Sequence, residues 1–148
     1  MSSIPPTLKY VEGFTIIGLS TKTQNIDEFN EKTAKLPSLW QQFFSSDLAA
    51  NTNIFEVYSD YESDATGVYT VTVGVTDDGK RTEFSSVKIP TGNYLVFQGE
   101  GPMPSAVVET WKQIWDYFDA KSNYQRSFIS DFEAYSCPDK VSIYIGIA

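Results

Sequence analysis

Trp40-Gln41-Gln42-Phe43-Phe44, Ser59-Asp60-Tyr61-Glu62 and Val71-Thr72-Val73-Gly74-Val75 decide the fold, because this run of three segments is written twice. The second copy reads Trp111-Lys112-Gln113-Ile114-Trp115, Ser130-Asp131-Phe132-Glu133 and Ile143-Tyr144-Ile145-Gly146-Ile147. The first two matches lie 71 residues apart and the third one residue further. Three matches in order, at a nearly constant offset, argue for an internal duplication.

The pattern around these segments gives the repeating unit. Residues 10–21 mix β-branched and aromatic residues and read as a strand. Over 26–48, Ile26, Phe29, Leu36, Leu39, Trp40, Phe43 and Phe44 recur at helical spacing, with Pro37 as an internal start or kink. Strands follow over 54–61 and 67–76, and Asp77-Asp78-Gly79-Lys80 is a turn. After a strand over 82–89 the order restarts with a strand over 93–99, broken by Gly101-Pro102-Met103-Pro104. A helix over 104–120 carries Val107, Val108, Trp111, Ile114, Trp115 and Phe118, and strands over 127–135 and 141–147 close the chain. The prediction is an α+β fold in one domain, 1–148. Repeat 1 covers about 10–78, a linking strand 82–89, and repeat 2 about 93–148. Two β-α-β-β units would form one antiparallel sheet with both helices on one face and a ligand groove between them.

Composition narrows the chemistry. The chain has 148 residues, 41% apolar and 15% aromatic, enough for a buried core. No apolar run approaches the roughly 18 residues of a membrane span, and the N-terminus lacks a signal peptide's basic and apolar regions. With the single Cys137, this makes the reducing cytoplasm the expected location. A net charge of −8 repels nucleic acid, whose binding rests on lysine and arginine. There is no histidine, which removes the commonest general base and transition-metal ligand; with one cysteine, a zinc site of usual composition cannot be assembled. No metal and no cofactor is expected. Any reaction would run on carboxylates, tyrosines, lysines or positioned water.

Beyond the repeat, Tyr58-Ser-Asp-Tyr-Glu-Ser-Asp64, Phe97-Gln-Gly-Glu-Gly-Pro-Met103, Val108-Glu-Thr-Trp-Lys-Gln-Ile-Trp115 and Asp131-Phe-Glu-Ala-Tyr135, with the Trp40–Phe44 segment, resemble the GyrI-like small-molecule-binding domains. That domain is the effector-binding part of many AraC- and MerR-type regulators and also occurs alone, including in integron cassettes. The resemblance runs from about Phe14 to Ile147 and implies a groove for hydrophobic, often cationic, molecules. It also implies a glutamate in the last strand but one that meets the cation, matched here by Glu133. No helix-turn-helix is recognised in this sequence, so the expectation is a free-standing binder.

Glu133 is the leading candidate. Strand alternation puts Ile129, Asp131, Glu133 and Tyr135 on one face and Phe128, Ser130 and Phe132 on the other. An arbitrary strand glutamate is more often solvated, yet Glu133 stands among aromatics with no adjacent lysine or arginine. A carboxylate in an apolar groove is costly to ionise, and a cationic ligand relieves that cost. Glu62, its repeat-mate by sequence, is the second carboxylate. Tyr58, Tyr61, Phe97, Trp111, Trp115, Phe132 and Tyr144 are candidate groove aromatics, although aromatic residues at such spacings are usually core.

Three functions compete. The first is a sink or sensor for lipophilic, cationic small molecules, used in drug or effector recognition. The second, again implied by the resemblance, is a cofactor-free hydrolase that opens strained cyclopropane rings of DNA-alkylating natural products. There Glu133 would be the base and Tyr135 would polarise the substrate. The third is an acidic inhibitor of DNA gyrase, supported by net charge alone. The expected partner is a small molecule, not nucleic acid or membrane; dimerisation is left open, so a homodimer is allowed.

Overall fold

A computed structural model describes residues 6–28, 32–46, 48, 53–62, 67–77, 84–102, 105–119, 124–137 and 139–147. Strands β1 (Thr7–Val11) and β2 (Phe14–Thr23) lead into a short helix, α1 (Asn25–Glu28), and then α2 (Leu36–Phe44). Next come β3 (Ile54–Ser59), β4 (Tyr69–Thr76), β5 (Ser85–Ile89) and β6 (Gly92–Glu100). Helix α3 (Ser105–Asp119) and strands β7 (Arg126–Cys137) and β8 (Lys140–Ile147) complete the chain.

All eight strands form one antiparallel sheet in the order β1-β6-β8-β7-β3-β4-β2-β5. The duplicated units are spatially evident: β2-β4-β3 mirrors β6-β8-β7, and β3 pairs with β7 at the centre. The outer strands are exchanged. β1, which precedes the first unit, pairs with β6 of the second, and β5, which precedes the second, pairs with β2 of the first. The full repeat is therefore β-β-α-β-β, with each unit closing the edge of the other. The sequence reading over 10–21 merged the end of β1 with β2; Glu12 and Gly13 separate them, and Gly13 N–H donates to Thr91 Oγ1 at 2.7 Å.

Local chemistry explains each helix. The 26–48 pattern resolves into two helices rather than one. Lys35 N–H and Leu36 N–H donate to the Glu28 carboxylate at 3.0 and 3.1 Å, so α1 delivers an anion to the N-terminus of α2. Pro37 sits in the first turn of α2, where its missing N–H costs nothing. Leu39 and Phe43 form the buried stripe of α2; Ala106, Thr110 and Ile114 form that of α3, each spaced by four residues. Burying Ile114 completely contributes about 2–3 kcal/mol. Two glycines allow close approach. A Cβ at Gly18 would stand 1.9 Å from the Val73 carbonyl oxygen of β4, and one at Gly99 would stand 2.1 Å from Thr110 Oγ1 of α3.

Both helices lie on one face. α2 packs on β2 and β4, and α3 on β6 and β8, so the central strands β3 and β7 run beneath the space between them. The opposite face carries its own cluster, in which Ile16, Val57, Ile89, Tyr94 and Phe132 are buried beside Phe14, Phe55 and Tyr144. Among the described residues, no helix is long and apolar enough to cross a membrane.

Candidate functional site

β3 and β7 are in register with Glu56 opposite Glu133, Tyr58 opposite Asp131 and Ile54 opposite Tyr135. With a side-chain period of two, Glu56, Tyr58, Asp131, Glu133 and Tyr135 all point toward the helices. Trp40 from α2 and Trp111 from α3 reach over this floor. Trp40 meets the Tyr135 ring edge-on at 5.6 Å between centroids, and Trp111 meets Tyr58 at 5.5 Å. The carboxylates are shut in beneath these rings: Glu133 is 2% exposed and Glu56 3%.

Glu133 is held by neutral donors. Tyr58 O–H donates to Glu133 Oε2 at 2.7 Å and Trp111 Nε1–H to the same oxygen at 2.6 Å; Tyr135 O–H donates to Oε1. These bonds engage both carboxylate oxygens but supply no positive charge. They also tie β3, β7 and α3 to one carboxylate. Burial and the neighbouring Glu133 raise the tyrosine hydroxyls of Tyr58 and Tyr135 far above their ordinary range, so both remain donors.

Glu56 completes the floor. Burial pushes its carboxyl well above the usual carboxylate range, and the facing Glu133 pushes it further, opposed by the Trp40 and Tyr58 side chains. Like charges in one dry site do not both ionise, so the pair holds a proton, placed on Glu56. A carboxyl raised by folding binds its proton more tightly in the native state than in the unfolded chain. Stability therefore falls as pH climbs above the unfolded glutamate value of about 4.3, by at most about 1.4 kcal/mol per pH unit. Urea denaturation across that range is expected to show this fall, and Glu56→Gln should flatten it.

A second polar cluster adjoins the first. Asp131, fully buried, accepts from Arg126 Nη2 at 2.7 Å, from Gly146 N–H at 2.9 Å and from Tyr61 O–H. The Arg126 guanidinium lies 4.4 Å from the centre of the Phe128 ring and 5.9 Å from that of Trp111. Phe128 has φ +52° and the β7–β8 register shifts between Arg126 and Asp131, so the expected alternation fails there. Phe128 turns toward Tyr61 and Arg126 instead of joining Phe132, and Ile129 is left exposed.

The structure brings Glu133, Tyr58, Tyr135 and Trp111 together. Trp115 lies one turn further along α3, 6.1 Å from Trp111, and Tyr61 belongs to the Asp131 cluster. Phe97 is packed under α3 against Tyr117 and Phe118. Tyr144 stands on the far face, stacked on Phe132 at 4.3 Å. Glu62 is exposed beyond the end of β3. Its sequence match to Glu133 is not a structural one, because Ser59 ends β3 whereas Ser130 to Glu133 lie inside β7. Glu56, Trp40, Asp131 and Arg126 were not among the site residues expected from the sequence. The available signal for Glu56 was its place two residues before Tyr58, on the same strand face.

Comparison with known proteins agrees with this architecture. Residues 7–147 match the family model described as Cass2, integron-associated effector binding protein. YobU of Bacillus subtilis (strain 168), whose name provisionally places it among transcriptional regulators, is 33% identical over 147 residues, covering 88% of this chain and 89% of that protein. An integron cassette protein from the mobile metagenome of Vibrio cholerae has a similar structure, with a TM-score of 0.88 and 30% identity over 97% of this chain and 96% of that one. SAV2435, solved bound to tetraphenylphosphonium, shares the fold with a TM-score of 0.77 and 18% identity over 98% and 94% of the two chains. The chain belongs to the Cass2 family of integron-associated effector binding proteins, and small-molecule binding is the function that membership supports.

Proposed function

We propose that this protein binds hydrophobic organic cations between α2 and α3, with Glu133 facing the positive charge, and so senses or sequesters such compounds in the cytoplasm. The observation that carries the reading is a carboxylate 2% exposed whose hydrogen-bond donors among the described residues, Tyr58, Trp111 and Tyr135, are all neutral. Burying a carboxylate without a cation is costly, and a lipophilic cation offsets that cost while filling the aromatic enclosure. Each ring face presented to the charge adds about 0.5–2 kcal/mol. The tetraphenylphosphonium held by SAV2435 is a molecule of this class, on a shared fold.

Trp40 and Trp111 close over the carboxylates, so a ligand enters by parting the two indoles. Their fluorescence should report occupancy. In titrations with methyltriphenylphosphonium and the uncharged, similarly shaped triphenylphosphine oxide, the cation is expected to bind at least about tenfold more tightly, a difference of about 1.4 kcal/mol. Equal affinity, or preference for the oxide, would overturn the cation reading. The hydrolytic alternative is less well supported by the geometry, because three donors already occupy both oxygens of the would-be base.

A further inference from the structure

The floor of the groove carries one carboxyl more than a singly charged ligand needs. Glu56 lies directly across from Glu133, is 3% exposed, and its Oε1 has no hydrogen-bond partner. Buried polar atoms are normally satisfied, so an orphaned carboxyl oxygen beside a second carboxyl points to a group that arrives from outside. We propose that Glu56 is a second charge-receiving carboxyl of the groove, so that the site accepts compact aromatic dications as well as monocations, each dication binding with release of one proton from Glu56. This rests on the reading of the groove as a cation site.

The charge balance is simple. Holding one proton between them, the two facing carboxyls carry one negative charge, which a monocation neutralises without moving a proton. A second positive charge stays uncompensated until the Glu56 O–H bond breaks, its electron pair remaining on the carboxylate and the proton passing to buffer. Residues opposite one another on antiparallel strands have Cα atoms about 4.5–5.5 Å apart, so the two charges of the ligand must be close together or delocalised.

The surroundings of Glu56 favour this exchange. Tyr58 on its own strand, Glu133 and Tyr135 on β7, Tyr69 on β4 and Trp40 on α2 are the groups that act on it or feel its charge. None of these is a cation. Trp111 of α3 is bonded to Glu133, and Arg126 is bonded to Asp131. Burial and the facing Glu133 both favour the protonated form of Glu56.

The test compares methyl viologen, a flat dication at every pH, with methylphenylpyridinium, its singly charged analogue. Both are titrated by calorimetry into the whole protein at several pH values, in buffers of different ionisation enthalpy. The expected result is release of nearly one proton per methyl viologen, with affinity rising about tenfold per pH unit while Glu56 is protonated. Methylphenylpyridinium should bind without proton release. Glu56→Gln should abolish the proton release and weaken methyl viologen about tenfold or more relative to the monocation. The proton count needs no variant, so it stands even if Glu56→Gln fails to fold. Dication binding without proton release, rejection of the dication while the monocation binds, or unchanged dication binding in Glu56→Gln would each overturn this inference alone. Failure of both compounds to bind would overturn it together with the cation reading.

Discussion

Glu133→Gln is expected to weaken methyltriphenylphosphonium binding on the order of a hundredfold, about 2.7 kcal/mol, while changing triphenylphosphine oxide binding by less than about threefold. The substitution removes charge and little else. A glutamine side chain can turn its carbonyl oxygen to Tyr58 O–H and Trp111 N–H, the two donors that share Oε2. Its NH2 group then faces Tyr135, whose hydroxyl rotates from donor to acceptor. The indole N–H cannot make such a switch, which fixes the amide's orientation. Glu56, favoured in its protonated form by burial, can replace the lost charge only by releasing its proton, so the loss should be largest at low pH and shrink as pH rises. Fluorescence titration of both ligands checks the prediction. A loss shared equally by the cation and the oxide would show that Glu133 shapes the groove without reading charge.

Arg126→Met is expected to cost the fold about 3–5 kcal/mol, because it strands the fully buried Asp131 without its counter-ion. For a chain of this length that lowers the melting temperature by roughly 6–20 °C. Tyr61 O–H and Gly146 N–H would still donate to Asp131, but neither carries charge. Adding Asp131→Asn should recover most of the loss, since a neutral amide needs no counter-ion; thermal melts of the single and double variants decide this. Arg126 also flanks Trp111, 5.9 Å from its ring, so the single variant should alter indole fluorescence before any ligand is added.

The same two carboxylates show what a sequence can disclose. The duplication was legible because Trp40 and Trp111 open matching helical stripes, and because Val71–Val75 and Ile143–Ile147 share a glycine-interrupted strand pattern. Local periodicity also placed α2 and α3, since Leu39 with Phe43 and Trp111 with Ile114 and Trp115 follow helical spacing. Glu133 stood out as a strand carboxylate among aromatics. The exchange of β1 and β5 between the units was hidden, because pairing partners far apart in the chain leave no local trace. Glu56 was hidden for the same reason. In Ile54-Phe-Glu-Val-Tyr-Ser59 it shares a strand face with Tyr58, but only the register with β7 sets it against Glu133. Tyr144 shows the converse. Its aromatic ring suggested the groove, but strand parity sends it to the far face with Phe132. Phe128, at the irregular stretch of β7, shows that a single residue with positive φ is enough to reverse such a parity argument.

The most direct test of the central claim is a crystal structure of the protein with methyltriphenylphosphonium. The expected result is the phosphonium between Trp40 and Trp111, its charge above the Glu133 carboxylate, with the two indoles moved apart to admit it. A cation bound instead at the far face beside Phe132 and Tyr144, with Trp111 still donating to an undisturbed Glu133, would contradict it.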